Sequence, residues 1–329
     1  MAKRLWAVFM ARNIEFIRDR TALIWSLFFP LLLILAFAFA FSDDARESQH
    51  VAVFGTQPDT GFFQLKHITW HPVTDLDVGK NKISRHQYDL LINTNTQQFW
   101  YNPDSTKGYF LSQILSTKGF KQNTIEGEAI RYVHWVIPGI ITMNMMFSAL
   151  YGVGFVIIRY RKIGVLKRLK ATPLSAFEFL TAQVLSRLAV ILVTSILVFL
   201  CVAWVIDFPM RGSYLDLLIL YGIGSLSMIS LGLIFASRIA NEEMANGVLN
   251  LITWPMILLS GIWFSVDNLH PSIQTIAHLL PLTHITEGAR AIMIDGQGLW
   301  EIADNLLFCV ATAVLFLAIG AYWFVWDQQ

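Results

Sequence analysis

The chain has 329 residues, 55% of them hydrophobic and 14% charged, where a typical soluble domain has about 25% charged residues. Its net charge of +1 gives bulk electrostatics no hold on nucleic acid or on an acidic partner. Two cysteines, Cys201 and Cys309, lie inside apolar runs and read as packing residues rather than a disulfide or metal framework.

The charge deficit, a mean hydropathy of +0.53 and runs of about 20 apolar residues indicate an α-helical polytopic membrane protein. Residues 1–21 come first. Trp6, Phe9, Met10, Asn13 and Ile17 share one helical face, and Arg12, Glu15, Arg18 and Asp19 another. This predicts an amphipathic helix in the cytoplasmic interface. Residues 22–41 predict the first span. It ends in a small-residue pattern like a cleavage site, but its apolar run is longer than a secretory h-region of about 7–15 residues, so it reads as an uncleaved anchor.

Residues 42–131 change character. The runs VAVF (51–54), ITWHPV (68–73), YDLLIN (88–93) and QFWYN (98–102) read as strands, and 106–118 as a helix. They predict a small α/β domain. Its histidines, His50, His67, His71 and His86, lack ligand spacing and read as scattered surface residues.

Residues 132–329 predict five more spans: Val133–Ile158, about Phe179–Ile206, Leu217–Ala236, Val248–Val266 and Leu306–Trp326. With the N-terminus inside, the cytoplasmic stretches carry Lys3, Arg4, Arg12, Arg18, Arg20, Arg159, Arg161, Lys162, Lys167, Arg168, Lys170 and Arg238. The short external loops carry only Arg211 and Arg290. Basic residues in short loops mark the cytoplasmic side, so both termini are expected inside and 42–131 outside. Residues 265–303 are too polar to span and too apolar for a free loop. They predict a re-entrant hairpin broken at His270, Pro271, His278, Pro281 and His284. His278, His284 and Glu287 read as packed polar residues rather than a metal trio.

Within the spans, Arg187 sits about two turns into the third apolar run. Its two readings are an intramembrane functional residue and a side chain that snorkels to the cytoplasmic interface. Asn144 lies mid-span beside Met143, Met145 and Met146, which suit either an adaptable pathway lining or core filler. Phosphate-loop, zinc-protease, nucleophile-elbow and dinucleotide motifs are all absent, so no catalytic residue, metal site or cofactor is expected on this chain.

Three stretches carry a family resemblance. YRKIGVLKRLKATPLSAFEFL (Tyr160–Leu180), LLSGIWFSVDNLHPSIQTIAHLLPLTHITEGARAI (Leu258–Ile292) and the N-terminal half, with its interfacial helix, Pro30 and following domain, resemble the membrane subunits of type 2 ABC exporters, the ABC-2-type permeases. YDLLIN and FWYNPDS are similar to strands of the multidrug-like subgroup. The resemblance implies a permease subunit of an ATP-driven exporter of an amphipathic or lipid-like substrate, in a bacterial inner membrane. It implies two copies of a separate ATP-binding subunit, which hold ATP and Mg, and a second permease copy or paralogue. It also implies that residues 172–180 form the coupling helix on which the ATPase presses.

The residues agree with that role. Pro173 is suited to a first helical position and Thr172 to an N-cap. Leu174, Phe177 and Leu180 are spaced as one apolar stripe, with Lys167, Arg168 and Glu178 beside it. The pathway or hairpin candidates are Asn144, Met145, Arg187, Ser260, Gly261, Pro281, Thr283 and Arg290. Two readings from other classes are a membrane receptor sensing a ligand through 42–131, and an ion-coupled secondary transporter. Loss of signalling without loss of export would mark the first; transport that needs a proton gradient and no ATP would mark the second.

Overall fold

The computed structural model describes residues 2–40, 49–55, 66–84, 88–103, 105–117, 119–125, 132–206, 208–239, 241–266 and 269–324. The chain divides into two compact units, one of Met1–Ala40 with Val133–Gln329, the other of Phe41–Tyr132.

Helices α1 (Ala2–Arg18) and α2 (Arg20–Ala40) open the chain. The exposed face of α1 is its apolar one, with Trp6, Met10, Ile14 and Ile17 outward. Arg12 turns inward, its side chain only 11% exposed. This is the arrangement of a helix whose outer solvent is lipid.

In the smaller unit, β1 (Gln49–Phe54), β2 (Ile68–Pro72), β3 (Leu90–Asn93), β4 (Gln98–Tyr101) and β5 (Lys121–Thr124) make one sheet in the order β2-β1-β3-β4-β5. Only the β3–β4 pair is antiparallel. Helices α3 (Leu76–Ser84) and α4 (Thr106–Ser116) cover its two faces. Strand side chains alternate between faces. Thus Val51, Leu90, Ile92, Phe99 and Tyr101 pack with Leu111 and Leu115 of α4, and Ala52 and Leu91 pack with Ile83 of α3. Burial on both faces explains the continuous apolar run of β3. The four predicted strand runs are β1 to β4; α3 and β5 were not anticipated. Residue 118 of the predicted helix lies outside the described residues.

The helical unit continues with α5 (Tyr132–Ala149), a π-helical turn (Leu150–Phe155), α6 (Val156–Lys162), α7 (Val165–Lys170), α8 (Ala176–Ile206) and α9 (Tyr214–Arg238). Then come α10 (Glu242–Leu259), α11 (Pro271–Ala277), α12 (Pro281–Met293) and α13 (Ala303–Trp323). Helix α9 is central and packs on α8, α12, α13 and the π turn. Small residues let it approach closely: a Cβ on Gly154 would lie 3.0 Å from the Gly232 carbonyl oxygen, and one on Gly320 3.0 Å from Leu233. A hydrogen bond of 2.8 Å joins the Ser227 and Thr312 hydroxyls of α9 and α13.

Five helical stretches are long and apolar enough to cross a membrane: Arg20–Ala40, Tyr132–Lys162, Ala176–Ile206, Tyr214–Arg238 and Ala303–Trp323. The sequence predicts six. The difference is Val248–Val266, where α10 begins at Glu242 and stops at Leu259, and Gly261 takes a positive φ of 71°. The helix thereby includes two glutamates and two asparagines and loses the apolar residues after Ser260. The region of the predicted hairpin holds the helices α11 and α12, joined by residues 278–280.

Candidate functional site

The connection after α6 is built from local rules. Gly164 has a φ of +73°, and its amide donates to the Arg161 carbonyl (3.2 Å) while that of Ile163 donates to Arg159 (3.0 Å). This is a glycine helix stop, and it turns the chain into the short basic helix α7, which exposes Lys167 and Arg168. Thr172 does not cap the following helix. Its hydroxyl donates backwards to the Leu169 carbonyl (2.6 Å), closing α7, and Pro173 lies in the turn.

The next helix starts three residues later than the Thr-Pro pair suggests. The Glu178 amide donates to Ser175 Oγ (3.1 Å), and the Glu178 carboxylate accepts from the Ser175 amide (2.9 Å). This reciprocal pair is a capping box, legible in the sequence as Ser-x-x-Glu. Glu178 is 4% exposed and is engaged in this cap. The separate amphipathic helix expected at 172–180 is therefore a turn followed by the first residues of the 31-residue α8. The expected stripe is split as well: Leu174 precedes the helix, Phe177 is 65% exposed and Leu180 is buried at 6%.

Two clamps hold this connection. Arg4 of α1 donates to the Pro173 carbonyl. Arg161, buried, donates to the carbonyls of Ile239 (2.7 Å) and Ala236 (3.0 Å), satisfying the C-terminus of α9 and its negative dipole end. Beside it Lys162 pairs with Glu242 at 2.8 Å. Sequence reading counted Arg161 and Lys162 only as topology charges. Nothing local marks their partners nearly 80 residues away.

The break after α10 forms a second cluster. Pro281 opens α12 at a position that needs no amide donor. Thr283, fully buried, donates to the Ala277 carbonyl (2.6 Å) and bonds Ser260 Oγ (3.3 Å). Arg290 donates to the carbonyls of Trp135 (3.1 Å), Ile262 (3.2 Å) and Gly261, with its guanidinium 3.5 Å from the centre of the Trp135 ring. A Cβ on Gly139 would meet the Ile262 Cα at 3.0 Å, so glycine there admits the broken backbone against α5. Non-helical backbone at membrane depth needs such buried partners. Ser260, Gly261, Pro281, Thr283 and Arg290 are thus brought together. His284 instead bonds Asn305 (2.8 Å) and the His278 carbonyl (2.9 Å).

Asn144 and Met145 lie elsewhere, inside the bundle. Met145 is fully buried and serves as packing. Asn144 Nδ2 donates to the Ser26 carbonyl at 3.1 Å. That carbonyl sits four residues before Pro30, which has no amide to offer it; Asn144 replaces the missing donor. Arg187 donates through Nε to the Ser148 carbonyl and lies 5.5 Å from the Phe16 ring centre.

In the smaller unit, His50 Nδ1 and His71 Nε2 share a hydrogen bond of 3.0 Å. Burial, the neighbouring His50 and Lys82 together lower the His71 pKa from its usual 6.5. His50 and His71 are thus a pair rather than scattered. His67 stands in the turn before β2 with a positive φ of 68°, and His86 lies outside the described residues.

The family model described as ABC-2 type transporter matches residues 86–294, more than half of the chain. The chain is 26% identical over 191 residues to the probable multidrug ABC transporter permease YbhS of Escherichia coli (strain K12), covering 58% of this chain and 50% of that one. It is 24% identical over 217 residues to the putative transport permease YvfS of Bacillus subtilis (strain 168), covering 65% and 83%. It is 25% identical over 248 residues to the inner membrane transport permease YhhJ of Escherichia coli (strain K12), covering 67% and 65%. The chain therefore spans about half the length of the YbhS permease it matches.

Proposed function

The chain belongs to the ABC-2 type transporter family, and from that premise we propose that it is the membrane subunit of an ATP-driven exporter of an amphipathic or lipid-like substrate. Two ATP-binding subunits on separate chains supply the energy, and a second permease copy or a paralogue completes the membrane part. Both termini face the cytoplasm and 42–131 lies outside. The α10 region completes a sixth crossing, and α11–α12 re-enter from the outer side.

The observation that carries the coupling step is the clamped connection between α6 and α8. It offers Lys167, Arg168 and Phe177 outward, while Arg4 fastens it to α1 and Arg161 fastens its start to α9. A push on it is passed to three helices, as a rigid-body switch requires. An exposed aromatic beside basic residues suits a groove on a soluble subunit.

Co-expression of the chain with its ABC ATP-binding subunit tests the reading. The purified chain alone should show no ATP turnover, and the complex should show it. Phe177→Asp should insert normally, because no buried contact is lost. It should weaken capture of the ATPase by about tenfold or more, since a charge in a docked apolar groove costs at least ~1.4 kcal/mol. Normal capture and export by this variant would remove the connection from the coupling path. Export that needs a proton gradient and no ATP would favour the secondary-transporter reading.

A further inference from the structure

Where α1, the π-helical turn and α8 meet, two guanidinium groups converge on one glycine. Arg12 Nη2 donates to the Gly152 carbonyl at 3.2 Å. Arg187 lies against the same residue: a Cβ on Gly152 would stand 1.9 Å from Arg187 Nε, so glycine leaves room for that side chain as it is placed. The π turn widens the helix at this point, a distortion frequent at functional sites.

The charges do not balance. Glu15 pairs with Arg12 Nη1 at 2.7 Å and also accepts from the Tyr160 hydroxyl. Arg187 has the Ser148 carbonyl and the Phe16 ring; among the described residues no carboxylate pairs with it. A guanidinium carries five N–H donors, and Arg187 spends one of them on the described residues. Two more polar atoms at the same place, Arg12 Nε and Ser148 Oγ, are buried without a hydrogen-bond partner among the described residues. Two inward-turned cations with one carboxylate, beside a buried Arg12 Nε and Ser148 Oγ that lack partners among the described residues, call for an anion.

The depth of the site suits a headgroup. Helix α8 has 31 residues and is about 46 Å long, against a hydrocarbon core of about 30 Å. Its first three turns, which end at Arg187, can stand outside that core. Helix α1 runs beside this part, with Arg4 on Pro173 and Phe16 on Arg187. The neighbouring surface is apolar and open, with Ile17 65% and Leu185 43% exposed, as acyl chains would require.

We propose that Arg12 and Arg187 together bind the phosphate of an anionic lipid headgroup in the leaflet that holds α1. This rests only on the chain's lying in a bilayer and not on the export reading. The site would keep α1 seated beside α8 when the membrane carries anionic lipid.

Native mass spectrometry of the full chain, titrated with phosphatidylglycerol or with phosphatidylcholine of the same acyl chains, tests it. Wild type should retain phosphatidylglycerol in preference to phosphatidylcholine. Arg12→Gln and Arg187→Gln should each weaken that retention by about fivefold, as expected for one basic residue at an anionic surface. Arg18→Gln, an exposed cation on the same helix, should change it far less. Thermal melting in the same detergent identifies variants that fail to fold, and the wild-type lipid preference needs no variant. Equal retention of the two lipids by wild type would overturn the proposal, as would unaltered retention by folded Arg187→Gln. Stabilisation by inorganic phosphate alone, lost in Arg187→Gln, would assign the site to a soluble anion and overturn the lipid assignment.

Discussion

At the scale of single residues, the polar side chains of the bundle mainly complete backbone that proline or a helix end leaves unpaired. Asn144 supplies the donor that Pro30 cannot. Removing one partner of a buried hydrogen bond costs about 1–3 kcal/mol. Asn144→Ala should therefore lower the melting temperature in detergent. Pro30→Ala restores an amide able to reach the Ser26 carbonyl, so the double variant should recover most of the loss. Additive losses in the two variants would show that Asn144 does not serve this carbonyl. Arg290 and Arg161 do the same for the Gly261 break and for the end of α9, which is why both arginines sit part-buried or buried in a chain poor in charge.

At the scale of elements, the junction between α7 and α8 separates two readings of TPLS. Thr172 as an N-cap would make its hydroxyl important for the helix that follows. In the structure Ser175 and Glu178 take that role, and Thr172 bonds back into α7. Ser175→Ala should cost about 1 kcal/mol, seen as a fall in melting temperature. Thr172→Ala should cost a few tenths, because an exposed hydroxyl loses only a solvent-shared bond. The reverse order would place the helix start at the Thr-Pro pair after all. Ser-x-x-Glu was present in the sequence, but a proline following a threonine is an equally good local start signal. The contacts that form, Ser175 with Glu178 and Thr172 with Leu169, fix the boundary.

At the scale of the whole molecule, the two units differ in what surrounds them. The helical unit exposes Trp25, Phe28, Leu32, Phe39, Trp204 and Leu251, a pattern stable against lipid and not against water. The smaller unit packs the apolar residues of both sheet faces under two helices, as an α/β layer does, while Tyr109, Phe110 and Ile114 of α4 stay exposed. The proposed topology has that unit outside. Thr96, exposed in the β3–β4 turn, is the place to test it, since Asn102 is only 1% exposed and would be a poor reporter. In a Cys201→Ser background, Thr96→Cys should react with an impermeant thiol reagent in intact cells. Lys170→Cys, on exposed α7, should react only after lysis. The opposite pattern would invert the topology.

The sequence by itself determined the class of the protein, because composition and apolar run length are sums over local stretches. It also determined the strands β1 to β4, whose β-branched and aromatic runs are recorded residue by residue, and the family, through motifs of Tyr160–Leu180 and Leu258–Ile292. The tertiary structure decided what those sums cannot hold. Asn144 meets a carbonyl 118 positions away and Arg290 one 155 positions away, and no period in the chain encodes such a partner. It ended α10 at Leu259, where Thr283 and Arg290 hold the broken backbone from Ser260 to Ile262 in the middle of an unbroken apolar run. It brought Arg12 and Arg187 together at Gly152, within the π turn. Local pattern selects the elements, because propensity and burial of one face act within a few residues. Packing selects the partners, because a buried polar group is stable only beside the particular group that completes it.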